Sequence, residues 1–134
     1  MKILLDEQTN KIIKSSLVAD FQIFRLKDLN WLGYQNGVLR ELLNENEFTF
    51  LITCDKNMPF QQNFSKINFT IILLDTPSTS RDHQSLFIDK IREIASNPPL
   101  TMPKLIHLSI EEFHNEKLIA NLKNLLPPDQ ILFI

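Results

Sequence analysis

"FLITCDKNMPFQQN", Phe50 to Asn63, opens with an unbroken apolar run and then stops on a carboxylate. A strand with one wet face alternates polar and apolar residues. A run without alternation suits a strand buried on both faces, as in a parallel sheet covered by helices. The charge at Asp55 then falls where such sheets gather their ligands, beyond the carboxyl ends of the strands. The amides that follow, Gln61, Gln62 and Asn63, read by composition as loop.

The same design recurs along the chain. "KILLD" (Lys2 to Asp6) is a first strand candidate, and Ile12, Ile13, Ser16 and Leu17 mark one face of a helix. "FQIFRL" fits a second strand, and "KDLNWLGYQ" has neither period and reads as a loop. Asn36 can cap a helix whose buried face is Val38, Leu39, Leu42 and Leu43. "TFLITC" is the third strand and "FTIILL" the fourth, closed by Asp75 and the turn-forming "TPSTS". A helix with Phe87, Ile88, Ile91, Ile94 and Ala95 on one side follows. After Pro103, "KLIHLS" is a strand, and Ser109 with Glu112 has the spacing of a capping box. The next helix carries Phe113, Leu118, Leu122 and Leu125 and stops at "LLPPDQ". The final "ILFI" suits either an edge strand or docking against a second copy of the chain. Strands alternating with helical segments predict an α/β three-layer sandwich with a mainly parallel sheet, as a single domain over residues 1–134.

Composition narrows the function. With 43% hydrophobic and 22% charged residues the chain is an ordinary globule, and a net charge of -2 argues against gripping nucleic acid by bulk electrostatics. Two glycines in the whole chain are too few for a P-loop or a dinucleotide fingerprint. Cys54 is the only cysteine, so no intramolecular disulfide forms, and a small buried hydrophobe in a reducing interior is expected. "MKILLDEQ" meets charge before an apolar core develops, and no segment approaches the roughly 18 apolar residues of a membrane helix, so a cytoplasmic protein without membrane contact is expected.

Three strands end in acid: Asp6 with Glu7 behind it, Asp55, and Asp75. On one sheet edge such carboxylates repel and resist ionising together unless a cation joins them. Oxygen ligands without a His or Cys cluster suit Mg²⁺ or Mn²⁺, with water and substrate phosphates completing the shell. Capping of the next helix is the structural alternative for each acid, and the turn after Asp75 suffices to explain that one. His83, His107 and His114 have no ligand spacing and are expected at or near the surface. No elbow motif and no evident His and acid partners mark Cys54 or a serine as a nucleophile.

In order and spacing, "MKILLDE", "WLGYQNGVLREL" and "FLITCDKNMPFQQN" resemble the PIN-like family of small bacterial proteins described as predicted nucleases of toxin–antitoxin systems. The closest pattern is the branch reading LLDE, NG-x-L, T-x-D-x-N-L and QQN. The resemblance covers residues 1–75 well and residues 76–97 in architecture, making 1–97 the family-like core and 98–134 a C-terminal strand-helix extension. It implies a metal-dependent ribonuclease using Mg²⁺ or Mn²⁺, RNA as substrate, and a cognate antitoxin protein as partner. Asp6 and Asp55 would be the catalytic, metal-binding acids, with Glu7, Asn36 and Glu41 as further candidate ligands. Thr53, Asn57, Gln61, Gln62 and Asn63 would support them, the three amides as a rim motif. Asn36 stands where other branches carry an acid, and Val38 where relatives of this branch often show Glu, so the acidic set is incomplete.

Two other readings use the same residues. "DKNMP" (Asp55 to Pro59) resembles the segment around the phosphoacceptor of response-regulator receiver domains, with Asp6 and Glu7 as the magnesium acids. That pattern lacks its Gly-containing turn here, and lacks a Lys-Pro pair after the fifth strand unless Lys104 serves. A non-catalytic module binding protein or RNA would use Trp31, Tyr34 and Phe60, for which packing in the core or loops is the favoured explanation. Lys11, Lys14, Arg25, Lys27, Arg40 and Lys56 are basic residues available to RNA, scattered rather than clustered in sequence.

Overall fold

The computed structural model describes all 134 residues. Six strands, β1 (Lys2–Leu5), β2 (Gln22–Arg25), β3 (Phe50–Thr53), β4 (Thr70–Leu74), β5 (Leu105–Leu108) and β6 (Ile131–Phe133), form one sheet in the order β2-β1-β3-β4-β5-β6, every pair parallel. The five helices are α1 (Lys11–Leu17), α2 (Asn36–Glu45), α3 (Arg81–Ser85), α4 (Ile88–Ser96) and α5 (Glu116–Leu125). They cover both faces, giving the expected α/β three-layer sandwich.

The apolar strands sort their side chains by alternation. Leu4, Leu51, Ile71, Leu73 and Leu105 face a front layer of Leu39 and Leu43 from α2 and Leu118 and Leu122 from α5. Ile3, Leu5, Phe50, Ile52, Ile72 and Leu74 face a back layer of Ile13 and Leu17 from α1 and Phe87, Ile91, Ile94 and Ala95 from the α3–α4 segment. β3 and β4 are buried at every position, which is why their sequences show no polar alternation.

The connections carry an irregularity. From β1 the chain steps to β2 over the back through α1, then returns past β1 to β3 over the front through α2. The link from β3 to β4, made of 3-10 turns holding Met58, Phe64 and Ile67, also crosses the front, as does α5 between β5 and β6. The β4 to β5 link steps in the same direction but crosses the back. It therefore has the opposite hand to the other four, where a right-handed crossover is all but universal.

Several local expectations are corrected. Gln35, not Asn36, occupies the N-cap position of α2, and on that helix Val38 lies 49% exposed while Leu39 and Leu43 are buried. The Ser109–Glu112 capping box does not form: Ser109 pairs with the last strand, Glu111–Phe113 make a 3-10 turn, and the Asn115 side chain caps α5 by accepting from Leu118 N–H at 3.1 Å. The amide directly before α5 serves as its cap, while the serine is held in the ladder. The final segment is an edge strand, with Ile134 N–H donating to His107 O at 2.9 Å. Residues 98–134 thus add two strands and a helix. No helix is long and apolar enough to cross a membrane.

Candidate functional site

The sheet's first change of direction lies between β1 and β3, because the chain leaves β1 toward the back and β3 toward the front. Register pairs Leu5 with Ile52, so the next residues, Asp6 and Thr53, emerge side by side at the carboxyl edge. Asp6 N–H continues the ladder by donating to Ile52 O at 2.9 Å. Thr53, fully buried, donates its hydroxyl to Asp6 Oδ2 at 2.8 Å and accepts from Asp55 N–H at 3.0 Å. One hydroxyl therefore binds the Asp6 carboxylate and the backbone of Asp55 at the ends of these neighbouring strands.

Asp6 also accepts from Glu7 N–H on Oδ1 at 2.7 Å, and Asp55 accepts from Asn57 N–H on Oδ1 at 2.9 Å. Burial raises the Asp6 pKa; the hydrogen bonds from Thr53 and Glu7 oppose that rise, and the Asp55 and Glu7 charges add to it. The two principal acids are close enough to repel. Hard oxygens at a switch point fit a magnesium-type ion, which needs only one or two protein carboxylates and keeps several waters. No set of three or more His, Cys, Asp and Glu side chains converges to hold an ion. The residues at this edge that could hold an ion are the Asp6 and Asp55 carboxylates, with water completing the shell.

The other candidates stand around this pair rather than in it. The Glu7 side chain lines a groove with Arg25, Lys27 and Leu32. Asn36 donates its side-chain amide to Gln61 Oε1 at 3.4 Å, and Glu41 is exposed further along α2. Asn63 accepts from the Ser65 hydroxyl at 2.6 Å, while Gln62 is half-buried. Gln61 and Asn63 thus shape the turns after β3, with Gln61 tying them to the start of α2. Of the aromatics, Trp31 packs on Phe48 with ring centroids 5.7 Å apart, whereas Tyr34 and Phe60 are exposed. Lys14 is paired with Asp28 at 2.7 Å; Lys11 and Arg25 share a groove with Glu7, Gln8 and Thr9.

A second polar cluster contradicts two sequence expectations. His107 is fully buried on β5, not at or near the surface, and Asp75 is 1% exposed and paired in the interior, which the turn after it does not explain. His107 Nε2 lies 2.9 Å from Asp75 Oδ2, Asn115 donates to Asp75 Oδ1 at 3.5 Å, and Lys56 Nζ is 3.6 Å from the same oxygen. Burial pushes the Asp75 carboxyl up, but the hydrogen bond and charge of His107, with Lys56 and Asn115, hold it below the ordinary range. His107 Nδ1 is buried without a hydrogen-bond partner, and the Phe133 ring packs 5.5 Å away. The signal was present as a polar residue inside "LIHL", where a buried side chain demands a partner.

Near the start of α3, Ser78 Oγ lies 2.6 Å from His83 Nδ1, so one serine does have a histidine beside it. The same oxygen accepts from Ser80 N–H at 3.1 Å and contacts Ser80 Oγ at 3.0 Å, which makes the pair part of the turn that starts α3. Cys54 is buried as expected, its thiol donating to Gln8 O at 3.3 Å, with burial and then the Asp6 charge pushing its pKa up. It is a poor nucleophile. Lys104 precedes β5 and donates to Ile67 O, so it stands at the edge opposite Asp55.

Against known proteins, the chain matches no family model, no curated protein and no solved structure.

Proposed function

We propose that the protein is a metal-dependent ribonuclease of PIN-like type, working with Mg²⁺ or Mn²⁺ held by Asp6 and Asp55. The observation that carries this is the shared Thr53 hydroxyl, which binds the Asp6 carboxylate and the Asp55 backbone at the β1–β3 switch point. A structural capping role alone gives no reason for the Asp6 carboxylate to be bound by a buried hydroxyl from the neighbouring strand. Asp6, whose pKa is raised chiefly by burial, gains by keeping its charge when a cation arrives. When bound, such an ion supplies an acidified water and neutralises charge on a phosphoryl oxygen. Thr53 holds the acids in register, and Asn57 N–H fixes the Asp55 side chain through Oδ1. Asn36 and Gln61, paired with each other, form a rim able to donate to phosphate or base. An antitoxin partner belongs to the same proposal through the family resemblance alone.

A second reading has its own observation. Leu32, Tyr34, Val38 and Phe60 are exposed by 58%, 50%, 49% and 44%, along the approach to α2 and on the turn that the Asn36–Gln61 bond ties to it. A non-catalytic module would use that apolar rim to bind a protein or RNA. The receiver alternative is weaker, because Lys104 lies at the wrong edge and Ser109 and Ile110 follow β5 in place of Lys-Pro.

Thermal unfolding with and without Mn²⁺, paired with an RNA cleavage assay, separates these. The nuclease predicts a stability gain with Mn²⁺ of about 2.7 kcal/mol at a hundredfold excess over Kd. Asp6→Asn and Asp55→Asn should abolish both the gain and the cleavage. No response to either ion, with no cleavage, leaves the binding module, and Asp55 phosphorylation by acetyl phosphate would restore the receiver.

A further inference from the structure

The reversed β4–β5 crossover creates a second crevice. Beyond the carboxyl ends, β3 sends the chain to the front and β4 sends it to the back, so the two connections part over the gap between neighbouring strands, as they do between β1 and β3. Ligands in open parallel sheets bind where connections diverge in this way. A cavity of about 250 Å³ occupies the gap, lined by Gln8, Cys54, Asp55, Lys56 and the turn from Thr76 to Thr79.

We propose that this crevice is an oxyanion site for a phosphate group, with Lys56 as its cationic anchor. Six of its eight lining residues, all but Cys54 and Pro77, carry polar side chains that can meet a small hydrated anion. Lys56 is the only cation in that wall, and its side chain is 38% exposed. At 3.6 Å from Asp75 Oδ1 its ammonium is held by charge but lies outside hydrogen-bonding range, leaving its protons free to donate. Asp75 is already served by His107 and Asn115 and does not require Lys56 for its hydrogen bonds. The buried Asp75–His107 pair thus acts as a fixed post that keeps Lys56 over the crevice mouth.

The facing wall is equally fixed. Thr76 donates its hydroxyl to Ser78 O at 3.0 Å, the Ser78 oxygen is held by Ser80 and His83, and Thr79 O accepts from the Asn10 side chain at 3.1 Å. The Thr79 hydroxyl has no partner within the protein and supplies a donor to the crevice. Asp75, 3.6 Å away, already offsets part of the Lys56 charge, and the adverse group in the wall itself is the Asp55 carboxylate. Its repulsion is relieved if Asp55 shares a divalent cation with Asp6, so assigning this phosphate to an RNA backbone rests on the nuclease proposal, while oxyanion binding as such does not.

The test is a titration of the full chain with inorganic phosphate at neutral pH, free of divalent metal, followed by the amide resonances of ¹⁵N-labelled protein. Saturable shifts are expected at Lys56, Thr76, Ser78 and Thr79. Lys56→Gln should weaken binding on the order of tenfold, the loss of one charge-assisted contact, and Lys56→Arg should stay close to the parent. A parallel titration with the dinucleotide UpU identifies the source: shifts at the same amides assign an RNA phosphodiester, and shifts with inorganic phosphate alone assign a free phosphate or monoester. No shift at these amides, or a Lys56→Gln variant that binds as the parent does, overturns the site. Because metal is absent, failure here leaves the Mn²⁺ response of Asp6 and Asp55 untouched, and a missing Mn²⁺ response leaves this result standing.

Discussion

The Thr53 hydroxyl serves two neighbours at once, the Asp6 carboxylate and the Asp55 backbone N–H. Thr53→Val keeps the shape and the burial but strips Asp6 and the Asp55 N–H of a partner. It should cost about 1–3 kcal/mol in denaturant unfolding and blunt any Mn²⁺ stabilisation. Asp6 and Asp75 should give opposite pH signatures. The raised pKa of Asp6 means the folded state holds its proton longer, so its contribution to stability falls as pH rises from the ordinary carboxyl value of 3.8 to its own folded value. Asp6→Asn is therefore expected to raise the melting temperature at neutral pH while removing the metal response, a trade of stability against function. Asp75 is lowered, so its contribution is complete above that ordinary value and disappears as pH falls through its folded pKa. Asp75→Asn should flatten the acid limb of a stability profile, whereas Asp75→Ala, which leaves His107 buried without its partner, should cost about 3–5 kcal/mol.

Among the elements, α5 ties the C-terminal third to the rest of the molecule. Leu118 and Leu122 share a core with Leu4, Leu51 and Leu73 from strands of the N-terminal half. Leu122→Ala, at a fully buried position, should cost about 2–5 kcal/mol by denaturant midpoint. The buried strands were the most legible elements, since "FLIT" and "TIILL" admit no wet face, and the amphipathic helices followed from Leu39/Leu43 and Leu118/Leu122 spacing. Caps were less legible. Asn36 and Ser109 have the chemistry of a cap, but which residue serves depends on where the ladder releases the chain, and Ser109 is retained by Ile134. The Asp6–Asp55 pair was readable because each acid closes an apolar run. The Asp75–His107 bond was not, because it joins residues 32 apart whose meeting depends on β4 and β5 being neighbours.

At the scale of the whole molecule, residues 98–134 are part of the same folding unit as residues 1–97. Cutting after residue 97 would remove β5 from the flank of β4 and strip the front of β4 of its α5 cover, exposing Ile71 and Leu73. The truncated chain is expected to show no cooperative unfolding transition by circular dichroism and rapid proteolysis. The reversed crossover bears on more than the crevice it opens. Had α4 crossed the front, as the usual hand requires, it would occupy the surface over β4 and β5 where α5 now lies, and Asn115 could not reach Asp75. The back face would lose its cover at β4 and β5, and α1 would lose its neighbour. One unusual turn of the chain thus decides which helix guards the Asp75–His107 pair. It also separates this architecture from a doubly wound sheet of the same strand order: two proteins with identical strand lists can differ in the hand of a single link, and only one of them can assemble this polar post.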